Sequence, residues 1–426
     1  MQNEGNITSL STGKKVVLGV QHLFAMFGAT VLVPIITGLH PSMALIGAGL
    51  GTLLFHFITG NKVPAFLGSS FAFLGVLSMI IGGDTANIPL AQGGIIAAGL
   101  VYVVIAIIIK FIGTDAIMKL FPPVVTGPVI VVIGLGLAPN ALQNAGLLSN
   151  GAADFKVDWL SVGVAAFSLA VVIALTIFAK GFFKLVPILF GFTAGYVLCL
   201  ILDAVAGTHF VDFSAIAAAP WINIPYVTEN FFTLPKFDLN AILTIAPVAL
   251  VTFMEHIGDV TVIGSVVGKN FLKDPGLHRT ILGDGLATAL GGLIGAPPNT
   301  TYGENTSVLV TTKVYSTSVL KIAAVFAIAL GFFGKFGAIL MTIPTPVLGG
   351  ISIMLYGMIA SIGMRTMVES KIDFSFSRNL IIVALILVVG LGMWNGIAIT
   401  STFSLSGLFL AVVIGALANQ ILPQNI

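Results

Sequence analysis

Four carboxylates decide what chemistry this sequence can offer. Glu255, Asp259, Asp284 and Glu304 fall within long apolar runs, while the other twelve of the sixteen acidic residues fall in loops or at the ends of such runs. A carboxylate at mid-membrane costs about 2.5–3.5 kcal/mol on insertion scales, so one that persists there is read as functional. Glu255 and Asp259 stand four residues apart, hence on one helix face. Asp284 lies near the start of its run, where an interfacial cap or an ion pair accounts for it. Glu304 sits beside broken backbone, in Asn299-Thr300-Thr301-Tyr302-Gly303-Glu304-Asn305, directly after Pro297 and Pro298. No Lys or Arg stands in these central stretches, which suits one of the acids to binding and releasing a proton. An ionised carboxylate only accepts hydrogen bonds, so the expected ligand brings N–H donors or positive charge.

A second polar stretch matches the first: Gly68-Ser69-Ser70-Phe71-Ala72-Phe73, after Pro64. Neither is a good helix. In a bilayer, free backbone N–H and C=O groups are tolerable only where they line a protein cavity or bind something. Two interrupted segments at matching places in two halves point to a transporter's binding site. The N–H groups around Phe71 and Gly303 can serve carbonyl acceptors, and Ser70 lies in the same stretch. Donors and acceptors side by side suit a flat heterocycle with alternating N–H and C=O groups, with the Phe71 and Tyr302 rings placed against its face. Among the histidines, His22 and His56 read as hydrogen-bonded packing, whereas His256 gains weight from its neighbour Glu255. Tyr356 is a further candidate, next to Gly357 of a repeated motif.

The elements that must hold these residues follow from composition. The 426-residue chain is 57% hydrophobic and 8% charged, against about 25% charged in a typical soluble domain. That excludes a soluble enzyme and a nucleic-acid binder. The single Cys199 excludes an intrachain disulfide framework and reads as a small apolar helix residue. The polar start running through Lys14-Lys15 into a full-length span reads as an uncleaved first helix. At roughly 20 apolar residues per span, the sequence offers seven spans before a long loop at about 203–240 and seven after it, the third of each seven being interrupted. The last runs from Ile399 to Leu422. With the N-terminus in the cytoplasm, 15 of the 18 basic residues fall in inside loops and only Lys156, Lys236 and Lys335 outside, as the positive-inside rule requires. Pro123, Gly127 and Gly134 share their spacing with Pro346, Gly350 and Gly357. A duplicated unit with an odd number of spans must be inverted, which puts the site near the midplane.

The residues that carry these readings resemble bacterial uracil permeases of the nucleobase–ascorbate transporter family. The resemblance rests on Gln21-His22-Leu23-Phe24-Ala25-Met26-Phe27-Gly28-Ala29-Thr30, on the 68–73 stretch, on Glu255-His256, on Asp274-Pro275-Gly276-Leu277-His278-Arg279 and on the 299–305 stretch. It implies an all-α polytopic membrane protein of fourteen transmembrane segments, built as two inverted repeats of seven, with short paired strands interrupting segments 3 and 10. A core domain would comprise residues 1–119 and 240–336, and a gate domain residues 120–239 and 337–426. The resemblance further implies that Glu255 and Glu304 hydrogen-bond the base, that backbone groups of Phe71 and Gly303 complete the contacts, and that Tyr356 faces the site from the gate. Two positions depart from the family pattern: Ser307 stands where glycine is usual, and Asp259 where a compared uracil permease has His.

The expected function is a proton-coupled uracil importer working by alternating access, with Asp259, Glu255, Glu304 and His256 as proton-coupling candidates. No cofactor or metal is expected beyond the coupling proton. The expected setting is a bacterial cytoplasmic membrane, with both termini inside, possible homodimerisation through the gate and no nucleic-acid partner. Three rivals differ in what they require. A xanthine or purine permease would share the fold. An anion transporter of related architecture would want a cationic site. An intramembrane aspartyl protease would use Asp259 and Asp284, but neither stands in the Gly-x-Gly-Asp context expected there.

Overall fold

The computed structural model describes residues 11–113, 119–149, 154–224, 227–228, 231–394, 396–399 and 404–423. The N-terminus expected inside, Pro225 of the long loop and the last three residues lie outside the described residues. Among the described residues, the regular structure is helical apart from two small sheets.

The first part comprises α1 (Thr12–Thr37), α2 (Pro41–Ile58), β1 (Leu67–Ser69), a 3-10 turn (Phe71–Phe73) leading into α3 (Leu74–Ile81), and α4 (Ile88–Ile112). There follow α5 (Pro123–Gly136), α6 (Ala138–Asn144), α7 (Trp159–Phe178), α8 (Phe182–Leu185), α9 (Pro187–Ala206) and α10 (Ser214–Ala218). The second part comprises α11 (Leu239–Ile245), α12 (Ala249–Val267), α13 (Leu277–Ile294), β2 (Asn299–Thr301), α14 (Gly303–Thr312), α15 (Thr317–Phe332), α16 (Gly334–Met341), α17 (Thr345–Glu369), α18 (Ser377–Gly392), β3 (Ile397–Ala398), β4 (Ser404–Leu405) and α19 (Gly407–Ile421). Among the described residues, eight helical runs are long and apolar enough to cross a membrane, and four shorter apolar helices accompany them. The end of α1 shows why these runs stop where they do. Gly38 adopts φ 84° and its N–H bonds the Pro34 carbonyl, a left-handed cap that costs glycine little.

Close packing in lipid depends on small residues, because lipid tails are as apolar as the side chains. α4 lies along α13 through Gly99 and Gly285: a Cβ on Gly99 would stand 2.6 Å from the Gly285 carbonyl oxygen. Met26 and Ala29 of α1, Leu45 and Ala48 of α2, and Leu320 and Ala324 of α15 share one buried cluster. A separate contact joins α5 to α17, where a Cβ on Gly363 would come within 2.6 Å of the Gly127 carbonyl oxygen. Trp394, just past α18, fills the space against two other helices. A Cβ on Gly136 of α5 would meet its ring at 2.0 Å, and one on Gly75 of α3 at 3.4 Å.

The boundaries differ from expectation in two places. The run expected from Ile399 starts its helix at Gly407, because Ser406 caps it by accepting the Phe409 N–H at 3.2 Å while Ile397–Ala398 pairs with Ser404–Leu405. The run expected to end at Phe333 turns there, bridges to Ile222 and resumes as α16. The long loop is fastened to the bundle beneath it. Asn223 Nδ2 donates to the Gly331 carbonyl at 3.2 Å, Gln92 Nε2 to the Thr233 carbonyl at 2.8 Å, and the Lys236 N–H to the Pro89 carbonyl at 2.8 Å.

Candidate functional site

The two polar interruptions meet. β1 and β2 pair antiparallel, Leu67 opposite Thr301, Gly68 opposite Thr300 and Ser69 opposite Asn299. The pairing continues beyond the strands, with Ser70 N–H to the Pro298 carbonyl at 2.9 Å and Tyr302 N–H to the Phe66 carbonyl at 3.0 Å. A two-stranded sheet leaves an unpaired edge on each side, which is not tolerable inside apolar surroundings. Threonine hydroxyls from helices close both edges. Thr52 of α2 accepts the Leu67 N–H at 2.9 Å and donates to the Leu67 carbonyl at 3.3 Å. Thr288 of α13 accepts the Asn299 N–H at 3.2 Å and donates to the Asn299 carbonyl at 3.0 Å.

Each strand runs into a helix whose first turn has free N–H groups. Glu304 occupies the first turn of α14, where a negative charge faces the positive end of the helix. It lines a cavity of about 290 Å³ together with Phe24, Ser307, Thr311, Met354 and Lys184. A Cβ on Gly303 would meet nothing within 4 Å, so the backbone there is open. Glu255 and Asp259, one turn apart on α12, come close enough to Glu304 for the charges of Asp259, Asp284 and Glu304 to act on Glu255. Thr301 Oγ1 donates to Asp259 Oδ2 at 2.8 Å. Ser70 Oγ is buried without a partner among the described residues. The Phe71 ring meets the Tyr356 ring edge-on, 6.2 Å between centroids. Glu255, Asp259, Glu304, Ser70, Phe71, Gly303 and Tyr356 therefore gather around the paired strands.

Two expected residues point elsewhere. Tyr302 does not offer its ring to a ligand. It packs under Gly68, where a Cβ would stand 2.5 Å from the ring, and its hydroxyl donates to the Ser69 carbonyl at 2.9 Å. His256 turns away from Glu255 because neighbours in a helix do not share a face; its Nδ1 lies 3.2 Å from Asp284 Oδ2, both side chains fully buried. Asp284 is accordingly no interfacial cap. Asn305 has a part that sequence reasoning missed: its Nδ2 donates to the His22 carbonyl at 2.9 Å and lies 3.1 Å from His22 Nδ1. That pair ties α14 to α1. The signal was available, since Asn305 lies in the interrupted stretch and His22 in a span.

Residues 13–399 match the family model Xan_ur_permease, described as a permease family. The uracil permease of Bacillus caldolyticus is 48% identical over 415 residues, covering 97% of this chain and 93% of that protein. The uracil permease of Escherichia coli K12 is 41% identical, covering 93% and 89% respectively, and the putative pyrimidine permease RutG of the same organism 42%, covering 96% and 90%. Among solved structures, the transmembrane domain of the cyanobacterial bicarbonate transporter BicA aligns with TM-score 0.59 at 15% identity, over 95% of this chain and 96% of that one. Murine Solute Carrier 26 family member A9, an anion transporter in the inward-facing state, gives 0.65 at 10% identity, over 97% and 68%. At these identities the likeness is one of fold, that of a transmembrane transporter.

Proposed function

The chain belongs to the Xan_ur_permease family of permeases, and from that premise we propose that it imports uracil in symport with protons across a bacterial cytoplasmic membrane. The observation that carries the reading is Glu304, placed at the start of α14 beside the β1–β2 pair and facing the 290 Å³ cavity. Uracil presents two ring N–H donors alternating with two carbonyl acceptors. Carboxylates at Glu304 and Glu255 accept from the N–H groups, while free backbone N–H groups near Phe71 and Gly303 serve the carbonyls. Names of relatives at 41–48% identity agree with that base.

The full architecture we propose is fourteen segments in two inverted repeats of seven. The matched closure of the strand edges supports it: Thr52 binds both backbone groups of Leu67, and Thr288 both of Asn299, at the first residue of each strand. The core would be residues 1–119 and 240–336, and the gate 120–239 and 337–426. Packing of α4 on α13 and of α5 on α17 keeps within those groups. Movement of core against gate would expose the site to each side in turn, with Asp259 tuning or carrying the coupling proton. A homodimer through the gate is part of the same proposal.

Anion transport, the activity for which the murine structural neighbour is named, is disfavoured by the site chemistry. An anion bound between Glu255 and Glu304 would face like charge. The test is radiolabelled uracil uptake into proteoliposomes with and without an inward proton gradient, with xanthine as competitor. Gradient-driven uptake insensitive to xanthine supports the reading, and equal loss to xanthine moves the substrate to purines.

A further inference from the structure

Beside the candidate site, between α12 and α13, two charged-type side chains are sealed together. His256 and Asp284 are both 0% exposed, and Nδ1 and Oδ2 stand 3.2 Å apart. Neither ring nitrogen of His256 and neither carboxylate oxygen of Asp284 has a hydrogen-bond partner of good geometry among the described residues. A buried ionisable pair with unused lone pairs is costly unless something occupies them. The surrounding groups do not compensate. Phe55 of α2 stands edge-on to the imidazole at 6.4 Å, with His56 beyond it on the same helix. Tyr102 of α4 is hydrogen-bonded to Thr252, one turn before His256. The titratable groups facing the pair are Glu255 and Asp259 on α12 and Tyr102 on α4. Of these none brings a positive charge.

We propose that His256 and Asp284 form a buried proton seat that controls how strongly Glu255 holds the substrate. The inference rests on the uracil-carrier reading. In the neutral pair the imidazole proton would sit on Nδ1, the nitrogen 3.2 Å from Asp284 Oδ2, which leaves the free lone pair on Nε2. A proton arriving from water adds there, giving an imidazolium against the carboxylate and changing the pair's charge from −1 to 0. The negative charge beside Glu255 is thereby cancelled. Glu255, whose backbone adjoins His256, can then stay ionised beside Glu304 and accept the N–H groups of the base. Proton and substrate favour each other, and the linkage is reciprocal. His256 and Asp284 touch no substrate, and they act by positioning charge.

Variants that fix the pair's charge in opposite senses should behave oppositely. Uracil dissociation constants of the purified full chain in detergent would be measured from pH 5.5 to 8.5. The wild type is expected to bind more tightly at the acid end by about tenfold or more, within the ceiling of about tenfold per pH unit that linked uptake of one proton sets. His256→Gln fixes the pair at −1 and should bind at every pH as weakly as the wild type does at pH 8.5. Asp284→Asn removes the charge and should bind tightly, changing less than about twofold across the range. The double variant should restore the tight, pH-independent binding lost in His256→Gln, which also decides the matter if Asp284→Asn alone does not fold. Wild-type slopes in His256→Gln, or weakening without rescue in the double variant, overturn the proposal, as does a flat wild-type profile. No uracil binding by the wild type at any pH overturns the substrate reading itself, and this inference with it.

Discussion

The Thr301 hydroxyl donates to the Asp259 carboxylate at 2.8 Å, joining the second residue past the start of β2 to the outer turn of the acidic face on α12. The strand that shapes the site is thus held by one of the residues expected to handle the proton. Asp259→Asn keeps an acceptor for Thr301 and removes the charge. It is expected to retain uracil binding within about threefold, since the neutral hydrogen bond that remains is worth about 1 kcal/mol, and to lose gradient-driven accumulation. Counterflow exchange of uracil in proteoliposomes separates the two. Full accumulation by the variant would remove Asp259 from the coupling role.

Glu304→Gln should abolish uptake. Each hydrogen bond to a charged partner is worth about 1.5–3 kcal/mol, so binding should weaken about 10–100-fold. The amide offers an N–H where the base also brings one. Unchanged uptake in this variant would sink the assignment of the site.

Gly68→Ala tests the close approach of the sheet to Tyr302. The added carbon would stand 2.5 Å from the tyrosine ring and 2.7 Å from Thr30 Oγ1. Overpacking of this kind costs about 1–3 kcal/mol. A lower midpoint of thermal unfolding in detergent, with reduced uptake, is the expected result, and an unchanged midpoint would show that the ring yields freely.

His40 supplies a pH prediction outside the spans. It precedes α2, and its Nδ1 accepts the Ser42 N–H at 3.1 Å, a bond that only the neutral imidazole can make. Burial lowers its pKa to about 4. The unfolded chain therefore binds more protons between about pH 4 and 6.5, and stability rises with pH across that window. The contribution is complete above about 6.5 and lost as pH falls towards 4. His40→Asn retains a capping side chain without the titration, so its unfolding midpoint should depend less on pH from 4 to 6.5. An equal dependence in both proteins would exclude His40 as the source.

The two interruptions were legible because Pro, Gly, Ser and Thr break apolar sequence at two matched places, while their pairing as strands came from the family resemblance. The cluster of Glu255, Asp259 and Glu304 was legible because carboxylates are costly in such surroundings. What closes the strand edges was not. Thr52 and Thr288 are single hydroxyls in helices, and only the fold brings them to Leu67 and Asn299. His256 was drawn towards the site by its neighbour in sequence, yet at 3.6 residues per turn adjacent side chains diverge by about 100°. Asp284 was read as an interfacial cap or an ion-pair partner near the start of its run, and the second of these is what His256 supplies. The helix begins a full turn before that run, at Leu277, which sinks the carboxylate about 10 Å along the axis.

Trp394 gives the bundle a keystone. Its indole sits in notches left by Gly136 on α5 and Gly75 on α3, so those two helices cannot part without uncovering it. A large aromatic side chain buries about 150–250 Å². Trp394 is half-buried, so at about 25 cal/mol per Å² uncovering the buried part of its ring to water costs a few kcal/mol at most. Whatever parts α3 from α5 therefore works against a single side chain.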